Sequence, residues 1–144
     1  MNYPAERFPG TPKWLVPKVE AALLATHRHA AWAVPLEAIA RYESDCDPDI
    51  TDAGDLRGMM QMSVGQYQAA RKMGYIKRID YHDPLTALVV AIHYIAGDLP
   101  GYGGYGGITG LLRRHDRGPG DVLRYWVEHP HATYAQMRGL YSGY

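Results

Sequence analysis

Glu43 is the residue whose position most needs a chemical explanation. It lies about 20° from Leu36 on a helical wheel, so a carboxylate continues the apolar stripe of Leu36, Ile39 and Ala40. The chain beyond it loses all periodicity, which puts Glu43 in the last turn of its helix. Burial and the partial negative charge of a helix C-terminus both disfavour the anion. The spacing therefore predicts an acid that holds its proton toward neutral pH, as protonation of a departing sugar oxygen requires. Two plainer readings compete: a buried Glu satisfied by an Arg, and a carboxylate turned to solvent at a frayed helix end. An inverting hydrolase would need a second carboxylate, for which Asp45, Asp47, Asp49, Asp52 and Asp55 are at hand. Their crowding reads more simply as solvated turn formation.

The elements that must hold this acid follow from the apolar periodicity. Residues 1 to 14, rich in Pro and Gly, form an N-terminal arm, ordered or loose, and 15 to 144 one catalytic-sized domain. Leu15, Val19, Ala22, Leu23 and Thr26 predict a first helix over about 15 to 29, with Pro17 tolerated in its first turn. Pro35 suits the first turn of the helix that ends at Glu43, and Ser44 to Arg57 reads as a loop. Residues 56 to 62 allow at most a short β ribbon. Ser63 and Gln66 form a capping box for a short helix through about Lys72. Asp83-Pro84 starts what should be the central helix, carrying Leu85, Leu88, Val89, Ile92, Ala96 and Leu99 and closed by Pro100. After the Gly101 to Gly107 stretch, Ile108, Leu111, Leu112 and His115 share a helical face. Gly118-Pro119-Gly120 breaks the chain before Val122, Leu123 and Trp126, and a last helix starts near Thr133 with Met137 and Leu140. The class is mainly α, a single domain of about six to seven helices.

Glu43-Ser44, the Asp-rich loop and Gly58-Met59-Met60-Gln61-Met62 resemble the Glu-Ser and Gly-Leu-Met-Gln motifs of soluble lytic transglycosylases and goose-type lysozymes. The likeness runs on through Ser63-Val64-Gly65-Gln66-Tyr67 and through Asp83-Pro84 to Tyr94-Ile95, covering residues 34 to 126. It implies a lysozyme-like fold and cleavage of the β-1,4 bond between N-acetylmuramic acid and N-acetylglucosamine in peptidoglycan. Glu43 would be general acid and then base, helped by the substrate's acetamido group. Abstraction from the muramic C6 hydroxyl would give a 1,6-anhydro sugar, and abstraction from water would make a lysozyme. By the same resemblance Gln61 would contact the sugar or its acetamido group, Met60 would line the cleft, and Ser44 would hold Glu43 or the loop. The family's Ala-Tyr-Asn-Ala-Gly-Pro-Gly motif departs here to Arg114-His115-Asp116-Arg117-Gly118-Pro119-Gly120. His115 and Asp116 thus stand where the family has Tyr and Asn. His115 is expected to face inward near the cleft, with a satisfied core histidine as the competing reading.

Other signals carry less. Tyr102 or Tyr105 could stack on a pyranose from a flap at Gly101 to Gly107, although a plain interhelical loop is the simpler reading. Tyr94 is a substrate-side candidate that, like Trp126, reads more simply as core. The letters of a dinucleotide fingerprint at Gly101 to Gly106 follow a helix where that motif demands a strand. Asp45-Cys46-Asp47-Pro48-Asp49 opens like a calcium loop but has Ile50 where the Gly belongs and Leu56 where the closing Glu belongs. His27/His29 and His129/His131 are spaced i, i+2, which points them apart on a helix, and no His-Glu-x-x-His is present. No metal and no cofactor are expected.

Lys plus Arg number 15 and Asp plus Glu 15 in 144 residues, so no basic excess favours nucleic acid. Cys46 is alone and forms no internal disulfide. No run approaches the roughly 18 apolar residues of a membrane span. The N-terminus has no apolar run of signal-peptide length, so the expected route to a wall is host lysis, a holin or a phage particle. An endolysin or a virion-associated lysin follows, with virion proteins as further partners. The competing reading is a lysozyme-fold module that binds glycan or serves tail assembly without turnover.

Overall fold

The structure, a computed structural model, describes residues 3, 7–50, 54–113, 121, 124, 128 and 129. Among these it is mainly helical. The elements run α1 (Leu15–Thr26), a short 3-10 helix (Ala30–Trp32), α2 (Ala33–Ser44), β1 (Leu56–Arg57), β2 (Met62–Ser63), α3 (Val64–Lys72), α4 (Pro84–Ala96) and α5 (Ile108–Arg113). β1 and β2 pair antiparallel with Leu56 opposite Ser63 and Arg57 opposite Met62, the minimal ribbon expected at 56 to 62. The expected helix from about Thr133 and the Gly118-Pro119-Gly120 break lie outside the described residues.

Every residue of α2 from Ala33 to Ala40 is buried, as a helix must be when it runs through the core rather than along it. α1 covers it with Leu15, Val19, Ala22 and Leu23. α4 packs against α1, α3, α5 and β2, the central place its sequence implied. No helix among the described residues is long and apolar enough to cross a membrane.

The helix starts are written locally. Ser63 and Gln66 close the expected capping box at α3, with Gln66 N–H to Ser63 Oγ at 3.1 Å and Ser63 N–H to Gln66 Oε1 at 2.7 Å. Asp83 Oδ2 accepts from Thr86 N–H at 3.2 Å and from its hydroxyl at 2.6 Å, ahead of Pro84 in the first turn of α4. The helix ends differ from expectation. α1 stops at Thr26 because His27 turns left-handed (φ 56°), and Arg28 N–H then bonds back to Leu23 O at 3.0 Å. α4 stops at Ala96 because Gly97 is its left-handed cap; Leu99 is buried from the loop beyond, 2% exposed.

The described part of the arm is packed. Phe8 is buried in the core at 1% exposure, a contribution of about 2 kcal/mol for its ring. Arg7 forks between Glu20 of α1, at 3.1 Å, and Glu37 of α2, and Phe8 N–H donates to Glu37 Oε1 at 3.1 Å.

Candidate active site

α2 carries two glutamates that differ in burial. Glu37 is fully buried and bound by Arg7 and the Phe8 amide. Burial raises its pKa above the usual carboxylate value, while Arg7 and the Phe8 N–H pull the other way. A buried Glu satisfied by an Arg, weighed above for Glu43, is what Glu37 is. The sequence reading missed it because its partner is thirty positions upstream. Glu43, in the last turn, is half-buried, so it keeps a face toward solvent that Glu37 lacks.

Immediately after Glu43 the backbone turns on two consecutive left-handed residues, Asp45 (φ 55°) and Cys46 (φ 61°). Their N–H groups return to the helix end, Asp45 to Arg41 O and Cys46 to Ala40 O, both at 3.1 Å. Two such non-glycine residues in a row cost on the order of 1 kcal/mol each. Cys46 is buried, and burial pushes its thiol up to about 11, so it is an inert core residue at neutral pH.

Ser44 joins this helix end to the ribbon. Its hydroxyl donates to Met59 O at 2.7 Å and accepts from Asp47 N–H at 3.1 Å. Of the two roles expected for Ser44 it therefore holds the loop, and at 7% exposure it offers almost no surface to a sugar. The turn it grips, Gly58 to Gln61, is closed by Gln61 N–H to Gly58 O at 3.1 Å. Gly58 is left-handed (φ 75°), and a Cβ there would overlap the Tyr81 carbonyl and crowd the Tyr67 hydroxyl. Tyr67 is fully buried, edge-on to Tyr81 with ring centroids 4.9 Å apart, and burial pushes its phenol pKa up.

Met60, expected to line the cleft, is corrected by the structure: it is fully buried beside Met59. Both thioethers anchor the turn from beneath, because a short ribbon laid on a helical core needs apolar ballast. Gln61 is left-handed (φ 51°) and half-buried. Its amide N–H donates to Gly58 O at 2.9 Å, so the amide oxygen is not the atom used in that bond.

The Gly101 to Gly107 segment is tied down rather than loose. Tyr105 and Gly107 both donate to Ile95 O, at 3.2 and 2.8 Å, and Tyr102 donates to Leu99 O at 3.1 Å. The Tyr102 hydroxyl rests against Gly65 in the first turn of α3, close enough that any side chain at Gly65 would displace it. Tyr94 and Tyr105 meet edge to face at 5.7 Å, and all three tyrosines are half-buried against the core. The loop thus spans from α4 to the helix that leaves the ribbon. His115, Asp116 and Trp126 lie outside the described residues.

The acidic loop supplies turns. Asp47 Oδ1 accepts from Asp49 N–H at 2.9 Å, and Asp45 pairs with Arg41 at 2.6 Å. Asp45, Asp47, Asp49 and Asp55 are exposed, and Asp52 lies outside the described residues. Among the described residues no group of three or more His, Cys, Asp or Glu could hold a metal ion.

No curated protein and no solved structure matches the chain significantly. Residues 21–131, which include α2 with Glu43, the ribbon, α3, α4 and α5, match the transglycosylase SLT domain family. The chain belongs to that family, whose general activity is lytic-transglycosylase cleavage of peptidoglycan.

Proposed function

We propose that this domain cleaves the β-1,4 bond between N-acetylmuramic acid and N-acetylglucosamine with Glu43 as its single acid/base, releasing a 1,6-anhydro product. The observation that carries the reading is the Ser44 Oγ to Met59 O bond of 2.7 Å. It ties the Glu-Ser helix end to the Gly-Met-Met-Gln turn, so the half-buried acid and the Gln61 amide belong to one braced unit. Glu43 protonates the bridging oxygen as it leaves, and the substrate's acetamido group takes up the positive charge at C1. The resulting carboxylate then removes the proton from the C6 hydroxyl, which attacks C1. No second carboxylate is required on this route. Exposed, turn-forming Asp45 and Asp47 suit it better than they suit an inverting hydrolase.

His115 and Asp116 at the Tyr-Asn positions favour a second reading, a glycan-holding module without turnover. Digestion of purified peptidoglycan followed by mass spectrometry separates the two. Anhydro-ended muropeptides from the native protein, lost in Glu43→Gln while that variant stays folded, support the proposal. Reducing-end products point to a lysozyme, no products point to the module, and equal release by Glu43→Gln removes Glu43 from the mechanism.

A further inference from the structure

Net neutrality hides a strong segregation of charge. Residues 43 to 55 hold Glu43 and five aspartates with no Lys or Arg, whereas residues 56 to 79 hold no acid and five bases. Four of those bases, Arg71, Lys72, Lys77 and Arg78, fall within eight residues at the far end of α3, and all four are exposed. None of the four side chains makes an ion pair or hydrogen bond with a described residue. The nearest acid in sequence, Asp80, uses Oδ1 to accept from His82 N–H at 3.1 Å.

The backbone beneath this patch is held in place. Gly74, left-handed at φ 81°, turns the chain, with Gly74 N–H to Arg71 O and Tyr75 N–H to Ala70 O both at 3.0 Å. Tyr75, Ile76 and Ile79 pack inward, and the Tyr75 hydroxyl donates to Asp98 O at 3.3 Å. With its apolar residues facing in, the loop turns Lys77 and Arg78 out. A groove of about 300 Å³ lies along Gln68, Arg71, Lys72 and Ile79, and one of about 290 Å³ has Lys77 and Arg78 on its wall. Met73, next to Lys72 in the chain, is 47% exposed.

We infer that this basic face docks the carboxylate-bearing peptide stems of the peptidoglycan mesh, gripping the substrate outside the cleavage site. The inference rests on the proposed substrate. Unpaired, side-by-side cations keep their full attraction for an anion that arrives from solution, because no internal partner must first be displaced. The occupant is identified by charge and position. α3 has nine residues and so is about 13 Å long, with the ribbon at its start and the patch at its end. A glycan strand held at the ribbon therefore carries its own stems past the patch.

The test is co-sedimentation of the full chain with insoluble sacculi, using Glu43→Gln so that the mesh persists. Four proteins are compared: that background alone, with Arg71→Gln/Lys72→Gln, with Lys77→Gln/Arg78→Gln, and with all four changes. Lys13→Gln/Lys18→Gln, equally exposed, is the control for simple loss of charge. Near 50 mM salt each patch pair should weaken binding about threefold and the four together about tenfold, as expected for a handful of exposed charge contacts. The difference should shrink toward zero near 0.5 M salt, where the screening length falls to about 4 Å. Sacculi stripped of stems by an amidase should bind the background no better than the fourfold variant. Unchanged binding by the patch variants, an equal loss in the control pair, or a preference that survives stem removal would each overturn the inference. Because bound protein is read rather than product, salt-sensitive patch binding together with no muropeptide release by the native protein would sink the catalytic reading alone.

Discussion

Ser44 and Met59, fifteen residues apart, share the 2.7 Å hydrogen bond that joins the end of α2 to the ribbon turn, and both are buried. One hydroxyl satisfies the Met59 carbonyl and the Asp47 amide together. Ser44→Ala leaves the buried Met59 carbonyl without that partner, at a cost of about 1–3 kcal/mol, while Asp47 N–H keeps its bond to the Ser44 backbone carbonyl at 3.2 Å. Denaturant unfolding should show that loss. Peptidoglycan clearing should fall more than the folded fraction does, because the turn bearing Gln61 is no longer fixed to the helix bearing Glu43. Clearing that falls only in step with folding would make Ser44 a stabilising residue and nothing more.

Gln61 separates backbone from side chain. Its left-handed φ of 51° is strained for any residue with a Cβ, so Gln61→Gly relieves about 1 kcal/mol and removes one hydrogen bond of similar size, that to Gly58 O. Stability should stay within about 1 kcal/mol of the native protein. If the amide oxygen accepts from the substrate, clearing should drop about tenfold or more, with the loss concentrated in KM. Native clearing by a folded Gln61→Gly protein would assign the position to turn geometry alone.

What could be read from the sequence was what neighbouring residues write together. Ser63 with Gln66, and Asp83 with Pro84, announce helix starts because every partner is within three positions. Glu43-Ser44 and Gly58 to Gln61 stood out because each is a short contiguous motif resembling those of the family. Contacts between distant segments were illegible. Glu37 looked like one more helical residue until Arg7 closed on it, and Met60 looked like a cleft residue until the ribbon folded onto the core. The stop of α1 at His27 has no sequence cue, since a histidine in the left-handed region is held there by the hydrogen bond that follows. Gly97 was a visible cue, overrun because Leu99 continues the apolar spacing.

Glu37 should set one limb of the pH–stability curve. Its carboxyl binds a proton more readily in the fold than in the unfolded chain, where the ordinary value is 4.5. Its contribution to stability is therefore fully present below that value and is lost as pH rises from 4.5 through the raised folded value. Glu37→Gln keeps an acceptor for the Phe8 amide and for Arg7 but cannot titrate, so the native protein should lose stability relative to it across that window. Clearing per folded molecule should be unchanged, since Glu37 is sealed from solvent. Parallel thermal-unfolding curves for the two proteins from pH 4 upward would refute the assignment.

His93 should set the opposing limb. Burial lowers its pKa below 6.5, with Asp98 at 3.3 Å resisting and Arg28 assisting, and its ring stacks on Tyr75 at 3.6 Å and 3°. The unfolded chain therefore takes up the proton first as the solution is acidified. Stability attributable to His93 is present above 6.5 and is lost as pH falls through the window down to the depressed folded value, by at most about 1.4 kcal/mol per pH unit. His93→Phe preserves an aromatic face for Tyr75 while Asp98 keeps Arg28 at 2.7 Å, so the fold should survive and the acid-side slope should flatten. Glu37→Gln should leave that slope intact while removing its own, and the double variant should lose both. If His93→Phe instead shifts the whole curve down without changing its slope, the imidazole acts by packing and its charge is irrelevant to the acid limb.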